Sequence, residues 1–238
     1  MEYAFLVIAY VAEVLGTVAG FGSSTIALPL ALFLFDFHTA LVLVAVLHIF
    51  GNIGRVSFFK FGLDKSILLR FGLPGIIATL LGATLVSYAS QELLKGILGL
   101  FLVVYSVISW KKLLLFKPTT STACMGGSIS GFFAGLIGTG GALRGAFLTA
   151  FGLPKEKYIA TAAAIALAVD VTRLPVYFAE GFLTARYYWM VPMLFVIALF
   201  GSLTGKYVVA RIPQEKFRSI VLVAIFLMGL AFLYSWLI

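Results

Sequence analysis

The sequence predicts an all-α polytopic membrane protein made of two inverted repeats, each with a broken, re-entrant helical hairpin followed by three long transmembrane helices. Three observations predict this class: an apolar composition, ten apolar stretches in two matching sets of five, and a one-sided distribution of basic residues. Of the 238 residues, 62% are hydrophobic and 11% are charged, whereas soluble domains are about half apolar and about a quarter charged. So few charges exclude a soluble enzyme, a nucleic-acid-binding protein and a disordered chain.

The apolar stretches follow the same order of lengths in both halves. The last three of each set have about 20 residues or more, which is enough to span a bilayer as a helix. The first two are shorter, and a stretch of about 11 residues covers only about 16 Å. The stretches are residues 5–20, 25–35, 39–59, 67–89 and 93–115, and then 123–138, 142–151, 158–178, 187–210 and 217–238.

A glycine-rich segment divides the two short stretches of each half. The first glycine segment is residues 20–24 (GFGSS), and the second glycine segment is residues 138–141 (GTGG). Glycine permits tight turns, and non-helical backbone at membrane depth persists only where protein or a polar cavity surrounds it. We therefore expect two broken hairpins whose glycine segments meet near the middle of the membrane.

The two halves match residue by residue at a common offset of 118 positions. An apolar sequence would share Gly and Leu by chance, but a shared Asn/Asp, Arg and Pro are harder to explain without an internal duplication. We therefore expect the first repeat to cover residues 1–117 and the second to cover residues 118–238. The matching pairs are Gly20 and Gly138, Gly22 and Gly140, Asn52 and Asp170, Arg55 and Arg173, and Pro74 and Pro192.

The basic residues predict the orientation. If each broken hairpin returns to the face it left, twelve of the 17 basic residues fall on one side, against only Lys95 and Arg186 on the other. The positive-inside rule makes the crowded side cytoplasmic, which places both termini outside and inverts the second half relative to the first. The twelve are Lys60, Lys65, Arg70, Lys111, Lys112, Lys117, Lys155, Lys157, Lys206, Arg211, Lys216 and Arg218.

Ionisable residues within the apolar stretches are costly in lipid, so they are candidate functional residues. Asp170 and Arg173 stand three positions apart and share a helix face, as do Asn52 and Arg55. These residues either line a central anion site or, for Asp170 and Arg173, form a buried ion pair that holds helices together. Arg55 could instead extend to the cytoplasmic interface.

Arg144 lies in the first turn of the helix that follows the second glycine segment. The free N–H groups and the positive dipole end already favour an anion there, so a cationic side chain at that place indicates a bound anion. The alternative is a salt bridge to Glu13 or Asp170. Hydroxyl residues 23–25 open the matching helix of the first half, where they either cap the helix or also donate to a ligand.

Two further ionisable residues have alternative roles. Glu13 is a candidate proton carrier or a paired buried acid. His48 could relay protons, but a lone histidine on an apolar helix is more often a packed residue with one hydrogen bond, and we favour that interpretation. With two histidines and one cysteine, and no complete nucleotide-binding or hydrolase motif, we expect no metal and no cofactor.

Two segments carry a resemblance to a known family. Residues 18–29 (VAGFGSSTIALP) resemble the first glycine-rich signature of the sulfite exporter TauE/SafE family, the toluene-sulfonate uptake permeases, and residues 135–141 (GLIGTGG) resemble its second. The resemblance covers nearly the whole chain. It implies a permease or exporter of small sulfur-containing anions, such as sulfite or organosulfonates, in the inner or plasma membrane of a prokaryotic cell.

The sequence departs from the family pattern in both signatures. Ser23 and Ser24 stand where glycine is common, and residues 142–147 (ALRGAF) follow the second segment where a further glycine and a proline are common. These departures imply a groove that is more polar and more cationic than in other members.

Together these observations predict a secondary transporter for small anions that works by alternating access. The alternatives are an anion-selective channel and, with no motif to support it, an intramembrane enzyme that uses His48 with a serine. We expect a small anion and the lipid bilayer as partners, no nucleic acid, and a chain compatible with a homodimer through small-residue runs such as 160–168. Glu13 and Asp170 are the candidate proton carriers. The predicted substrate-binding residues are Gly22, Ser23, Ser24, Thr25, Asn52, Thr139, Gly140, Gly141, Arg144 and Arg173.

Overall fold

A computed structural model describes residues 2–20, 22–59, 62–111, 116–209 and 214–237. These residues form ten α-helices, joined by turns and short 3-10 segments, and contain no strand. The helices are α1 (Glu2–Ala19), α2 (Ser24–Ala31), α3 (Phe37–Phe58), α4 (Lys65–Leu85), α5 (Gln91–Trp110), α6 (Thr120–Ile137), α7 (Gly141–Leu148), α8 (Lys155–Ala179), α9 (Met190–Val209) and α10 (Gln214–Leu237).

Among the described residues, six helices are long and apolar enough to cross a membrane: α1, α3, α4, α5, α8 and α9. Helices satisfy every backbone N–H and C=O group internally, as a chain in lipid requires. The predicted class, an all-α polytopic membrane protein, is therefore confirmed. Of the basic residues that set the predicted orientation, Lys60, Lys112 and Arg211 lie outside the described residues.

Several helices begin where the sequence supplies a capping side chain. Asp36, Asp64, Ser90 and Thr119 each accept a hydrogen bond from the backbone N–H three residues further on, at 3.0–3.2 Å. Such caps satisfy one of the N–H groups that a helix start leaves free. They fix where α3, α4, α5 and α6 begin.

The first helix of each broken hairpin is longer than we expected. We expected both members of each pair to be short, but α1 and α6 have 18 residues each, about 27 Å. The expectation is wrong for these two helices because they continue through polar residues at their starts, where Glu2 suits the helix dipole and Thr119 caps. Only α2 and α7, with 8 residues each, are too short to span a bilayer.

Helices α3 and α8 form the centre of the bundle and run antiparallel. The end of α3 packs on the start of α8 through Phe59, Ile159 and Ala160. At the other end, the His38 ring stacks on Phe182, just beyond α8, with ring centroids 4.1 Å apart. These two helices also have the largest buried share of the six, at 67% and 56%.

The contacts between the other helices follow the same pattern in both halves of the chain. Taken in chain order, helices α1–α5 correspond to α6–α10. The contact of α4 with α6 then corresponds to that of α9 with α1, and the contact of α3 with α9 corresponds to that of α8 with α4. Helix α5 packs on its own counterpart, α10. This pattern is what an internal two-fold relation produces. The inverted repeat and its boundaries at residues 117 and 118 stay a prediction, which these contacts support.

Glycines bring α4 and α6 into close contact. A Cβ atom on Gly131 would overlap the backbone carbonyl of Gly75, and one on Gly135 would overlap that of Thr79. The Thr79 hydroxyl donates to the carbonyl oxygens of Gly75 and Gly131, at 2.6 and 3.0 Å. Helices in lipid associate through this kind of close backbone packing.

Replacing Gly131 by alanine should destabilise the protein, because the added methyl group overlaps the Gly75 carbonyl. We expect the free energy of unfolding to fall by about 1–3 kcal/mol. Gly72→Ala on α4 is the matched control: its Cβ meets nothing within 4 Å, so alanine should leave stability unchanged or raise it by up to about 1 kcal/mol. Thermal unfolding in detergent measures both variants, and equal effects would contradict the close packing.

An ion pair joins the α3–α4 connection to the start of α8. Lys157 Nζ lies 3.2 Å from Asp64 Oδ2, and the backbone N–H of Asp64 donates to the Thr161 hydroxyl at 3.1 Å. The backbone N–H of Ile67, and then Lys157, hold the pKa of Asp64 below its usual value.

The stabilisation from Asp64 should therefore be present above the unfolded-state pKa of about 3.9 and disappear as pH falls through the lower folded-state pKa. Asp64→Asn keeps a capping oxygen and loses the charge. Near neutral pH, we expect the free energy of unfolding of the wild type to exceed that of this variant by less than about 1 kcal/mol, because the ion pair is partly exposed. The unfolding temperatures of the wild type and of Asp64→Asn should converge as the pH is lowered from about 6 to 2. A difference between the two proteins that persists to the lowest pH would exclude a contribution from this charge.

Candidate functional site

The two glycine segments meet inside the bundle. The hydroxyls of Thr25 and Thr139 lie 2.9 Å apart and both side chains are buried. Gly20, Gly22 and Gly138 have φ of +77°, +90° and +74°, in the left-handed region that glycine adopts without strain. These turns end α1 and α6 and direct the chain into α2 and α7, so the tips of the two hairpins contact each other.

Helices α2 and α7 both begin at the meeting point without a side-chain cap. Ser23 precedes α2 in a helical conformation, and its side chain makes no capping hydrogen bond in the described part of the chain. Its buried hydroxyl adjoins the Glu13 carboxylate. Gly140 precedes α7 and has no side chain to cap with. The first N–H groups of both helices are therefore free of side-chain caps.

A chain of buried polar side chains links α1 to α3. The Arg55 Nη1 group donates to Glu13 Oε1 at 2.5 Å and to the Thr17 hydroxyl at 3.0 Å. Gly51 on α3 and Gly201 on α9 make room for Glu13, because a Cβ atom at either position would collide with its side chain. Arg55 therefore stays inside the bundle as the partner of Glu13, and it does not extend to an interface.

The chain continues from α3 to α8. Arg55 donates through Nε and Nη2 to Asn52 Oδ1, at 3.2 and 2.9 Å, and Asn52 Nδ2 donates to Asp170 Oδ2 at 3.1 Å. Asn52 and Asp170 are the residues that the offset of 118 makes equivalent. The Nδ1 atom of His48 lies 2.8 Å from the same Oδ2 atom of Asp170. Asp170 is thus the meeting point of the two central helices.

Arg173 belongs to the same network but has a structural set of partners. Its Nε and Nη2 atoms lie 3.0 and 2.8 Å from Asp170 Oδ1, and Nη1 donates to the backbone carbonyl of Ala134 at 2.7 Å. The Tyr177 hydroxyl donates to the next carbonyl, that of Gly135. Arg173 therefore joins α8 to the end of α6 as a buried ion pair, which is one of the two alternatives for this residue.

Arg144 on α7 is different, because it is buried and forms no salt bridge with any residue that the structure describes. Its side chain is 4% exposed, and its Nε atom has no hydrogen-bond partner among the residues that the structure describes. The two acids proposed as salt-bridge partners are in contact with other groups, Glu13 with Arg55 and Asp170 with Arg173. The salt-bridge alternative for Arg144 is therefore not realised among these residues.

A narrow cavity lies beside Arg144, with an empty volume of about 220 Å³ that includes its opening to solvent. Of the predicted site residues, Gly22, Asn52 and Arg144 line it. Ser23, Ser24, Thr25, Thr139, Gly140, Gly141, Arg173, Glu13 and Asp170 lie at the hairpin tips or in the polar network behind its wall. The full lining is Gly20, Gly22, Asn52, Arg55, Arg144, Ile159, Ala162 and Ala163.

Several residues of the site escaped the sequence reasoning. Ile159, Ala162 and Ala163 form one wall, and the available signal was the small-residue run in α8, which also suits helix packing. His48 was interpreted as a packed residue, yet its Nε2 atom lies against Gly22, which lines the cavity. Its contact with Asp170 needs the antiparallel crossing of α3 and α8, which no local pattern specifies.

The chain is a polytopic helical bundle with a polar cavity between two broken hairpins. This architecture is typical of membrane transporters. The family model described as sulfite exporter TauE/SafE matches residues 5–232. The chain is therefore a member of the sulfite exporter TauE/SafE family, as the two glycine-rich signatures indicated. A comparison with curated proteins gave no match.

The buried pair of Glu13 and Arg55 should show strong energetic coupling. Arg55→Met leaves a buried carboxylate without its cation, so we expect the free energy of unfolding to fall by about 3–5 kcal/mol. The double variant with Glu13→Gln should cost clearly less than the sum of the single variants. Unfolding in detergent measures the cycle.

The control is the exposed pair of Glu2 and Arg186, where the arginine side chain is 75% exposed. Arg186→Met should cost no more than about 1 kcal/mol. Strictly additive effects of Glu13→Gln and Arg55→Met would show that the buried pair is not coupled.

Proposed function

We propose that this membrane transporter carries small anions by alternating access. The observation that supports the proposal is Arg144, a buried guanidinium beside the cavity that forms no salt bridge with a described residue, although the charge of Asp170 acts on it. A buried unpaired charge is unstable in a protein interior. An anion in the cavity supplies the missing negative charge.

The charge balance of the region supports an anion rather than a cation. Three arginines, at positions 55, 144 and 173, surround the cavity and the network behind it, against the two carboxylates of Glu13 and Asp170. Both carboxylates are already paired with an arginine. An anion bound beside Arg144 makes the number of charges equal, and the uncapped starts of α2 and α7 offer further N–H donors.

The two-fold pattern of helix contacts supports alternating access. If the halves are inverted repeats, the cavity lies at their interface, where both broken hairpins meet, and rocking of one half against the other exposes it to each side in turn. We further propose that both termini are outside and that the end of α3 and the start of α8 face the cytoplasm. The bias of basic residues supports this orientation.

The substrate class follows from the family. Its description names sulfite, and arginine with backbone N–H groups suits the oxygens of sulfite or an organosulfonate. A bacterial-type inner or plasma membrane is the location that the family implies. The chemistry of the site specifies an anion with oxygen acceptors, and the sulfur comes from the family alone.

Replacing Arg144 by glutamine should abolish most anion transport, because the cavity then lacks its unpaired charge. We expect the uptake of sulfite, thiosulfate, methanesulfonate or acetate into proteoliposomes to fall by about 10- to 150-fold. This factor corresponds to the loss of one charge-assisted hydrogen bond. Arg186→Gln is the control, since its arginine is exposed and remote from the cavity, and it should transport normally.

Two results would contradict this proposal. Unchanged uptake by the folded Arg144→Gln variant would remove Arg144 from the site. Conductance in planar bilayers, with neither saturation nor counter-transport, would assign an anion-selective channel instead of a transporter.

A further inference from the structure

We infer that His48 is the proton-carrying group of this transporter, and that a proton on its Nε2 atom moves together with the anion. The inference rests on the proposed anion transport and adds its energy source. Sequence reasoning pointed to Glu13 or Asp170 for this role. The contacts of the three residues favour the histidine.

The ring of His48 contacts Asp170 with one nitrogen and faces Gly22 with the other. Its Nδ1 atom lies 2.8 Å from Asp170 Oδ2, and the side chain is buried. Neither ring nitrogen makes a hydrogen bond of good geometry in the described part of the chain, so Nδ1 is held by its close contact with Asp170 and Nε2 has no partner there. Nε2 points at Gly22, where a Cβ atom would overlap it. Since Gly22 lines the cavity, only a residue without a side chain separates Nε2 from the ligand space.

The two acids are poorly suited to gain and lose a proton. Glu13 forms an ion pair with Arg55. Asp170 forms an ion pair with Arg173 and accepts a hydrogen bond from Asn52. Protonation of either acid leaves a buried arginine without its counter-charge, which is strongly destabilising. His48 has no such obligation, because its Nε2 atom is free to accept a proton while Nδ1 keeps its contact with Asp170.

The charges around His48 make its protonation depend on the anion. Burial of the ring disfavours the imidazolium form most, Asp170 in contact favours it, and Arg55 on α3 and Arg144 on α7 oppose it. Beyond these, Glu13 on α1 is paired with Arg55, and Arg173 on α8 is paired with Asp170. An anion beside Arg144 offsets the opposing charge, so anion binding favours the proton, and by reciprocity the proton favours the anion.

The resulting step carries one proton with each anion. On the side from which both enter, the anion binds beside Arg144 and a proton from water adds to Nε2, giving an imidazolium that lies near the anion. After the hairpins expose the cavity to the other side, the anion leaves and Nε2 returns the proton to water. The histidine is again neutral when the empty transporter returns.

The first experiment measures uptake of methanesulfonate and thiosulfate into proteoliposomes with the membrane potential clamped. Both anions stay ionised across about pH 5 to 8, so any proton that accompanies them is carried by the protein. A gradient of one pH unit, alkaline inside, should accelerate wild-type uptake by up to about tenfold. His48→Gln should take up the anions more slowly than wild type at the same pH, because no proton then favours anion binding, and it should show no acceleration by the gradient, because the amide can still contact Asp170 but cannot carry a proton.

His38→Gln is the matched control, because His38 stacks on Phe182 at the far end of α3 and lies away from the cavity lining. It should respond to the pH gradient as wild type does. A gradient response that persists in His48→Gln, or that is absent from wild type while anions are still transported, would overturn the role of His48 and leave anion transport intact. If wild type carries neither these anions nor sulfite, the proposed function fails as well.

A second measurement does not depend on transport. The chain has two histidines, so isotope-labelled histidine in the His38→Gln variant gives the NMR signal of His48 alone. Addition of methanesulfonate should raise the pH at which this ring protonates by about one unit, a tenfold coupling between proton and anion. A titration midpoint that does not move, in protein that binds the anion, would overturn the inference.

Discussion

The structure depends on a single buried carboxylate, that of Asp170, at the crossing of α3 and α8. This carboxylate accepts a hydrogen bond from Asn52 and contacts His48, both on α3, and it forms an ion pair with Arg173 on its own helix. Asn52 and Asp170 are also the residues that the offset of 118 aligns. If both positions held aspartate, two carboxylates would face each other about 3 Å apart without a proton between them. If both held asparagine, Arg173 would lose its counter-charge. If the two halves arose by duplication, this position meets its own copy, and a difference between the two copies avoids both costs.

Glycine determines how closely the polar network can be enclosed. Gly51 and Gly201 leave space for the Glu13 side chain, and Gly22 leaves space for the His48 ring. The same residue type permits the left-handed turns at the hairpin tips and the backbone contact between α4 and α6. Close packing here removes water from the ion pairs, so that each pair is strong when complete and costly when broken. Among the described residues, Arg144 is a buried cation without a salt bridge, and it lines the cavity.

Much of the fold could be predicted from sequence because lipid leaves few choices. Apolar length specifies helices, glycine segments specify the breaks, and polar or charged residues in apolar sequence identify functional candidates, which included Asn52, Arg144 and Asp170. The partners of these residues could not be predicted. Arg55 pairs with Glu13, 42 positions away, and Arg173 reaches a backbone carbonyl of α6, a group that every residue carries. The lengths of α1 and α6 were misjudged because polar residues at a helix start interrupt the apolar pattern without ending the helix.

The position of Arg144 has a consequence for the response to voltage. At the offset that relates the halves, Ile26 occupies the corresponding place in α2, so only one of the two hairpin tips carries the guanidinium. A charge that moves across the full membrane potential exchanges about 2.3 kcal/mol per 100 mV. With its cavity vacant, a moving second tip would carry the net positive charge of Arg144, and a monovalent anion bound together with a proton on His48 would leave that net charge unchanged. The electric field would then act on the vacant carrier and on a carrier loaded with a monovalent anion alike, whereas a divalent anion would make the loaded carrier nearly electroneutral.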